Sequence, residues 1–205
     1  MIFILITVCL IKQDYEIRKQ QYINGISKAK EYLSKIPDIK ICIIENNGKR
    51  ETFLDMFDIE VLYTNNNSLH TNNKGIKELQ DVKDAIDYFK IQESDFIVKL
   101  TGRYILQENS EFLQHLTKFN PDKIDCIIRF GTLQQYNTYH KVPVCASFLI
   151  GMKCKYVKQI GVPAENESVE HRWAISTFPI DLSRIVCMEK MGILVCPGNN
   201  TYFLV

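Results

Sequence analysis

The chain has 205 residues, 46% of them apolar and 24% charged, and a net charge of +1. That length and balance suit one globular domain with a sizeable core. So small a net charge gives no field to favour nonspecific binding to duplex nucleic acid or an anionic membrane, and any basic site must be local.

In chain order, the apolar opening Met1 to Ile11 lacks the basic start and small-residue cleavage site of a secretory signal. It is also too short to span a bilayer, so it reads as a buried first strand. Tyr15 to Ser34 places Tyr22, Ile23, Ile26 and Leu33 at helical spacing, ending before Pro37-Asp38. Ile39 to Ile44 is a strand running into Glu45-Asn46-Asn47-Gly48. A short segment, Glu51 to Phe57, precedes a strand from Ile59 to Tyr63 that ends in Thr64-Asn65-Asn66-Asn67.

Asn73-Lys74-Gly75 opens the most regular helix, with Ile76, Leu79, Val82, Ile86 and Phe89 recurring every three or four residues. A strand from Phe96 to Leu100, a short helix around Phe112, Leu113 and Leu116, and a strand from Cys126 to Phe130 follow. This alternation predicts an α/β fold with a parallel sheet covered on both faces and right-handed crossovers. Beyond Gly131 the pattern changes. Leu133 to Tyr139 is polar and aromatic and reads as a hairpin or lid, and Val142 to Ile150 as a strand ending at Gly151. Helices from Lys155 to Ile160 and from Ser168 to about Thr177 come next, then short apolar runs at Ile185 to Met188 and Gly192 to Cys196. No repeat or linker interrupts the chain, so one domain is expected, with residues 1–130 and 131–205 as its two halves.

The seven cysteines show no CxxC spacing, and Cys9, Cys42, Cys126, Cys145 and Cys187 lie in strand-like runs. They read as reduced core thiols of a cytoplasmic protein rather than as zinc ligands.

Four strand ends carry the chemistry: Thr7, Glu45-Asn46-Asn47, Thr64 to Asn67, and Lys99-Thr101-Arg103. Parallel strands would bring them to one edge, where open α/β sheets bind ligands. Strand alternation would put Lys99, Thr101 and Arg103 on one face, able to hold a phosphate. Glu45 and Asn46 could meet a base or ribose, and Lys74 adds a cation at a helix start. The plainer alternative is that the Asn runs make turns and that Asn72 or Asn73 caps the helix. The absence of GxGxxG, GxxxxGK[ST] and GxSxG argues against dinucleotide oxidoreductases, P-loop ATPases and serine hydrolases of the elbow type.

The ordered segments IIENNG, TFLDMF, YTNNN, NKGIKELQDVKDAIDYF, FIVKLTGRYIL and SVEHRWA resemble glycosyltransferases of the GT-A fold, in particular the small ones of large DNA viruses of algae and amoebae. The resemblance implies a three-layer, Rossmann-like, mostly parallel central sheet with helices on both faces. It also implies a hexosyl- or deoxyhexosyltransferase moving a sugar from a nucleotide-diphosphate sugar, a UDP-sugar, to a hydroxyl of a glycan or glycoprotein. For a viral protein the place of action would be the host cytoplasm, with neither a nucleic-acid partner nor an integral membrane segment.

Thr7, Glu45, Asn46, Asn65, Lys74, Lys99, Thr101 and Arg103 would bind the donor. GT-A enzymes usually hold Mn²⁺ or Mg²⁺ on a DxD motif, but the matching place here reads Leu100-Thr101-Gly102-Arg103, with no carboxylate until Glu108. Such ions want carboxylate oxygens. Lys99 and Arg103 are therefore expected to neutralise the leaving diphosphate themselves, without a metal.

By the same resemblance Glu170 is the base that deprotonates the acceptor in an inverting reaction. Spacing alone makes Ser168 a helix cap followed by first-turn acids. Tyr139, His140 and His171 would face the acceptor, with Tyr136 and Trp173 as weaker candidates, although a lone helical Trp is more often core. The rival from another class is a non-catalytic module that binds a nucleotide or glycan. A nucleotidyltransferase is a third reading, disfavoured because clustered acids for two metals are missing.

Overall fold

A computed structural model describes residues 1–11, 15–131, 143–196 and 201–205. Its strands are β1 (Ile2–Val8), β2 (Ile39–Glu45), β3 (Glu60–Tyr63), β4 (Phe96–Thr101), β5 (Ile105–Leu106), β6 (Cys126–Ile128), β7 (Leu149–Lys153), β8 (Ile185–Cys187), β9 (Ile193–Val195) and β10 (Phe203–Leu204). The α-helices are α1 (Tyr15–Leu33), α2 (Lys74–Tyr88), α3 (Glu111–Thr117), α4 (Cys154–Lys158) and α5 (Val169–Ile175).

Among the described residues the central sheet has the order β3-β2-β1-β4-β7-β6-β8, and a small antiparallel sheet has the order β10-β9-β5. In the central sheet only β7 runs antiparallel to its neighbours, β4 and β6. The expected mostly parallel, three-layer α/β architecture is therefore present, and β7 is the departure from a purely parallel sheet.

The central strands β1, β4 and β6 are buried on both sides, which explains their near-continuous apolar runs. Ile2, Ile4, Ile6, Phe96, Val98 and Leu100 face Tyr22, Ile26, Ala29 and Leu33 of α1 and Phe112 and Leu116 of α3. Phe3, Leu5, Ile44 and Ile97 face Leu79, Val82 and Ile86 of α2, Val157 of α4 and Trp173 of α5. Burying each such Ile, Leu or Phe contributes about 1.5–3 kcal/mol, so the period-two strands and period-3.6 helices hold one another in register.

The strand expected over Val142 to Ile150 begins instead at Leu149 and runs through Gly151. Gly151 is a strand centre rather than a strand end, because a Cβ there would lie 2.6 Å from Cε1 of Phe96 on the neighbouring strand. Two-residue strands β5 and β10 are too short to leave a period in the sequence. The lid expected at Leu133 to Tyr139, with Tyr136, Tyr139 and His140, lies outside the described residues. Among the described residues no helix is long and apolar enough to cross a membrane.

Candidate functional site

Parallel pairing sets Thr7 beside Thr101, Leu5 beside Lys99 and Val8 beside Glu45, so the carboxyl ends of β1, β2, β3 and β4 form one edge. From β1 the chain proceeds to β2 and β3 on one side and returns to β4 on the other. The edge therefore opens between β1 and β4, at the switch point where such sheets receive ligands.

On the α2 side of this opening lies a charged cluster. Glu78 Oε1 accepts from Thr7 Oγ1 at 2.7 Å and from Thr101 Oγ1 at 3.4 Å, and lies 2.7 Å from Lys99 Nζ. Lys99 also donates to Thr101 Oγ1 at 3.2 Å and to the Ser147 carbonyl oxygen at 2.8 Å. With 1% of its side chain exposed, Lys99 is a buried cation whose charge is already met by Glu78, which corrects its reading as an open phosphate ligand. An unpaired ammonium at that depth would carry a large desolvation cost. Thr7 is likewise engaged within this cluster.

Arg103 departs from the expected shared face. Strand β4 ends at Thr101; Gly102 N bonds Thr7 O and Tyr104 N bonds Thr101 O, closing a turn that ends the alternation. Arg103 consequently swings to the α1 side, where Nη1 donates to Cys196 O at 3.2 Å and the guanidinium lies 5.6 Å from the Tyr104 ring centre. Among the described residues no carboxylate pairs with it. Burial pushes the nearby Tyr22 hydroxyl up to about 12, against the Arg103 charge, which pulls it down. That hydroxyl accepts from Cys9 N at 2.9 Å and so holds the loop after β1.

Glu45, with no exposed surface, is a clamp rather than a ligand for a base. Its Oε1 accepts from Leu10 N at 3.1 Å and Asn47 Nδ2 at 2.8 Å; its Oε2 accepts from Asn47 N at 3.2 Å and Arg50 Nη1 at 2.9 Å. Asn46 is also structural: its Nδ2 donates to Asp81 Oδ2 at 2.9 Å, while Thr64 and Asn66 donate to Oδ1 at 2.7 and 2.8 Å. Burial raises the Asp81 carboxyl to about 6, and its three hydrogen bonds restrain the rise.

Asn65 is exposed beside Gly48, and Lys74 is exposed at the start of α2. The N–H groups expected there for a phosphate are in part taken: Asn73 Oδ1 accepts from Gly75 N at 3.0 Å, and Asn73 O accepts from Ile76 N. Asn73 is thus the cap, as the plainer reading had it.

Ser168 caps α5, its Oγ accepting from His171 N at 3.4 Å, and the same hydroxyl donates to Glu170 Oε2 at 2.6 Å. Glu170 Oε1 accepts from Ser147 Oγ at 3.2 Å. Ser147, whose sequence context gave no signal, therefore ties the strand-end cluster to the late carboxylate. His171 bonds Pro143 O through Nδ1 at 2.9 Å, and Trp173 is a core residue at 3% exposure rather than an open stacking platform.

The donor set does not fit the divalent cation implied by the resemblance. At the end of β4 stand Thr101, Gly102 and Arg103, and Glu78 Oε1 is occupied by an ammonium and hydroxyls. Among the described residues no group of three His, Cys, Asp or Glu could hold a metal.

No family model and no curated protein matches the sequence. Solved structures do match the fold. A mannosyltransferase from Pyrobaculum calidifontis, in complex with GDP-Man and Mn²⁺, matches at TM-score 0.58 and 6% identity over 91% of this chain and 54% of that one. A Bacillus anthracis protein assigned as a glucose-1-phosphate thymidylyltransferase matches at 0.57 and 11%, over 95% and 89%. Residues 1–349 of TarS from S. aureus match at 0.52 and 13%, over 94% and 59%. The chain thus spans little more than half of the mannosyltransferase and of the TarS fragment. Its architecture is that of the GT-A, Rossmann-like folds.

Proposed function

We propose that this chain is a glycosyltransferase that moves a sugar from a UDP-sugar to a glycan hydroxyl. The observation that carries the reading is the convergence, at the β1–β4 opening, of Arg103 on one side with the Glu78, Lys99, Ser147 and Glu170 chain of contacts on the other. Glycosyltransferases among the fold neighbours support it.

In this mechanism the donor lies across the opening with its diphosphate toward Arg103 and its remaining groups toward the half-buried Thr101 and the exposed Asn65 and Lys74. Glu170, oriented by the Ser147 and Ser168 hydroxyls, takes the proton from the acceptor hydroxyl. The resulting oxygen forms a bond to the sugar C1 as the C1–O bond to the diphosphate breaks, inverting the centre. Arg103 stabilises the charge that passes to the leaving diphosphate. His171 would border the acceptor; the other two residues expected there, Tyr139 and His140, lie outside the described residues.

Nucleotidyl transfer is the second reading, supported by the thymidylyltransferase-like neighbour, of which this chain spans 89%. Titration calorimetry with UDP and UDP-sugars, with and without Mn²⁺, followed by assay of sugar transfer and donor hydrolysis, tests the proposal. UDP-sugar binding with hydrolysis or transfer supports it. Turnover of a nucleoside triphosphate with a sugar 1-phosphate supports the second reading, and glycan binding without nucleotide binding would leave only a non-catalytic module.

A further inference from the structure

Glu78 gave no functional signal in the sequence, where it stands among the polar positions of a regular amphipathic helix. Folding makes it the one side chain of α2 on which Thr7 of β1 and Lys99 and Thr101 of β4 converge. All three donors meet the same atom, Oε1, at 2.7, 3.4 and 2.7 Å. A carboxylate oxygen offers about two lone-pair directions, so Oε1 is saturated. Oε2 receives no donor from the described residues, and the side chain is 28% exposed at the opening.

We infer that Glu78 Oε2 is a fixed hydrogen-bond acceptor for a sugar hydroxyl of the bound donor. This rests on the reading of the opening as a nucleotide-sugar site. An ammonium and two hydroxyls hold the carboxylate at Oε1, so little side-chain entropy remains to be lost when Oε2 takes a donor. A carboxylate oxygen can only accept, so Oε2 selects a hydroxyl over a phosphate oxygen, which has no proton to give. The Arg103 guanidinium, which no carboxylate among the described residues pairs, lies on the α1 side and attracts the diphosphate there. Together the two residues give the opening a polarity: anion-binding toward α1, hydroxyl-binding toward α2.

The ribose of the nucleotide and the transferred sugar both carry such hydroxyls, and the test separates them. Calorimetry on the intact wild-type chain uses UDP, UDP-glucose, UDP lacking the ribose 2′ or 3′ hydroxyl, and the monodeoxy forms of the glucose of UDP-glucose. One deoxy ligand should bind about ten- to a hundredfold more weakly than its parent, the worth of a hydrogen bond to a charged group. A ribose-deoxy loss identifies the ribose, and a glucose-deoxy loss identifies the transferred sugar. Glu78→Gln, which keeps the shape but puts an amide donor at the Oε2 position, should weaken the parent ligand to the same degree and abolish the difference between parent and deoxy form. If every deoxy ligand binds wild type as its parent does, Glu78 serves only to neutralise Lys99 and this inference falls while the donor site stands. If wild type binds neither UDP nor UDP-glucose, the proposed function itself falls, and this inference with it. The wild-type panel can overturn the inference by itself even if the variant melts early, and the variant assigns any loss to Glu78.

Discussion

Ser147 donates from Oγ to Glu170 Oε1 at 3.2 Å, while its own carbonyl oxygen accepts from Lys99 Nζ at 2.8 Å. Ser147, two residues before β7, thus couples a buried strand lysine to a carboxylate on a helix late in the chain. Orientation of a carboxylate by a neutral hydroxyl is a testable arrangement, because hydroxyl and carboxylate can be removed separately.

Glu170→Gln should reduce the rate of sugar transfer by about a hundredfold or more, the usual contribution of a positioned general base. Donor affinity, read by calorimetry, should stay within about twofold, since a lost base affects the step and not the binding. Ser147→Ala should lower the rate by about tenfold, equivalent to ~1.4 kcal/mol of lost orientation, again with donor affinity retained. Unchanged turnover in Glu170→Gln would sink the base assignment.

Arg103→Ala should weaken UDP-sugar binding by about tenfold or more at low salt. The gap to wild type should narrow as ionic strength rises, because a partly exposed guanidinium is screened. Equal affinities at low salt would remove Arg103 from the donor site.

The stability of the chain should depend on Asp81 in a distinctive way. Its carboxyl stands at about 6 in the folded state against an ordinary 3.8, with burial as the main cause. The raised value favours the protonated folded form, so this group's contribution is complete below about pH 4 and is lost as pH rises through about 6. The span amounts to about 3 kcal/mol. Asp81→Asn, which cannot titrate, should therefore gain on wild type by about that much between pH 4 and pH 7 in urea unfolding. Asp125 acts with the opposite sign. The Arg184 guanidinium, with Lys153, holds its carboxyl well below the usual range, so its stabilisation is present above the unfolded value and disappears in strong acid.

Gly25 lets α1 approach the turn after β4: an added Cβ would lie 2.2 Å from Gly102 O and 2.8 Å from Tyr104 O, both backbone atoms that cannot rotate away. Gly25→Ala should cost about 1–3 kcal/mol in chemical denaturation and, by displacing the turn that carries Arg103, weaken donor binding as well.

Much of the architecture was legible because its signals are local. The helix of Ile76, Leu79, Val82 and Ile86 and the apolar run Phe96 to Leu100 each repeat with the period of their own element, and α2 and β4 follow them closely. The strand expected to end at Gly151 was misplaced because glycine usually marks a break, whereas here the Phe96 ring occupies the space of its side chain. The site was legible as to edge and less so as to role. Parallel pairing brought Thr7, Glu45 and Thr101 to the same sheet edge, but a sequence does not say which carboxylate will meet which cation. Glu45 went to Leu10, Asn47 and Arg50, and Lys99 went to Glu78.

The sequence by itself determined the order of the main strands and helices, the burial of both faces of the central strands and the polar character of the strand ends, since these follow from hydrophobic period and turn chemistry along the chain. Only the tertiary structure decided that Arg103 turns to the α1 side, that Lys99 is neutralised, and that Ser147 and Glu78 join the opening. Those outcomes depend on distances between segments far apart in sequence, where the cost of burying an unpaired charge selects its partner.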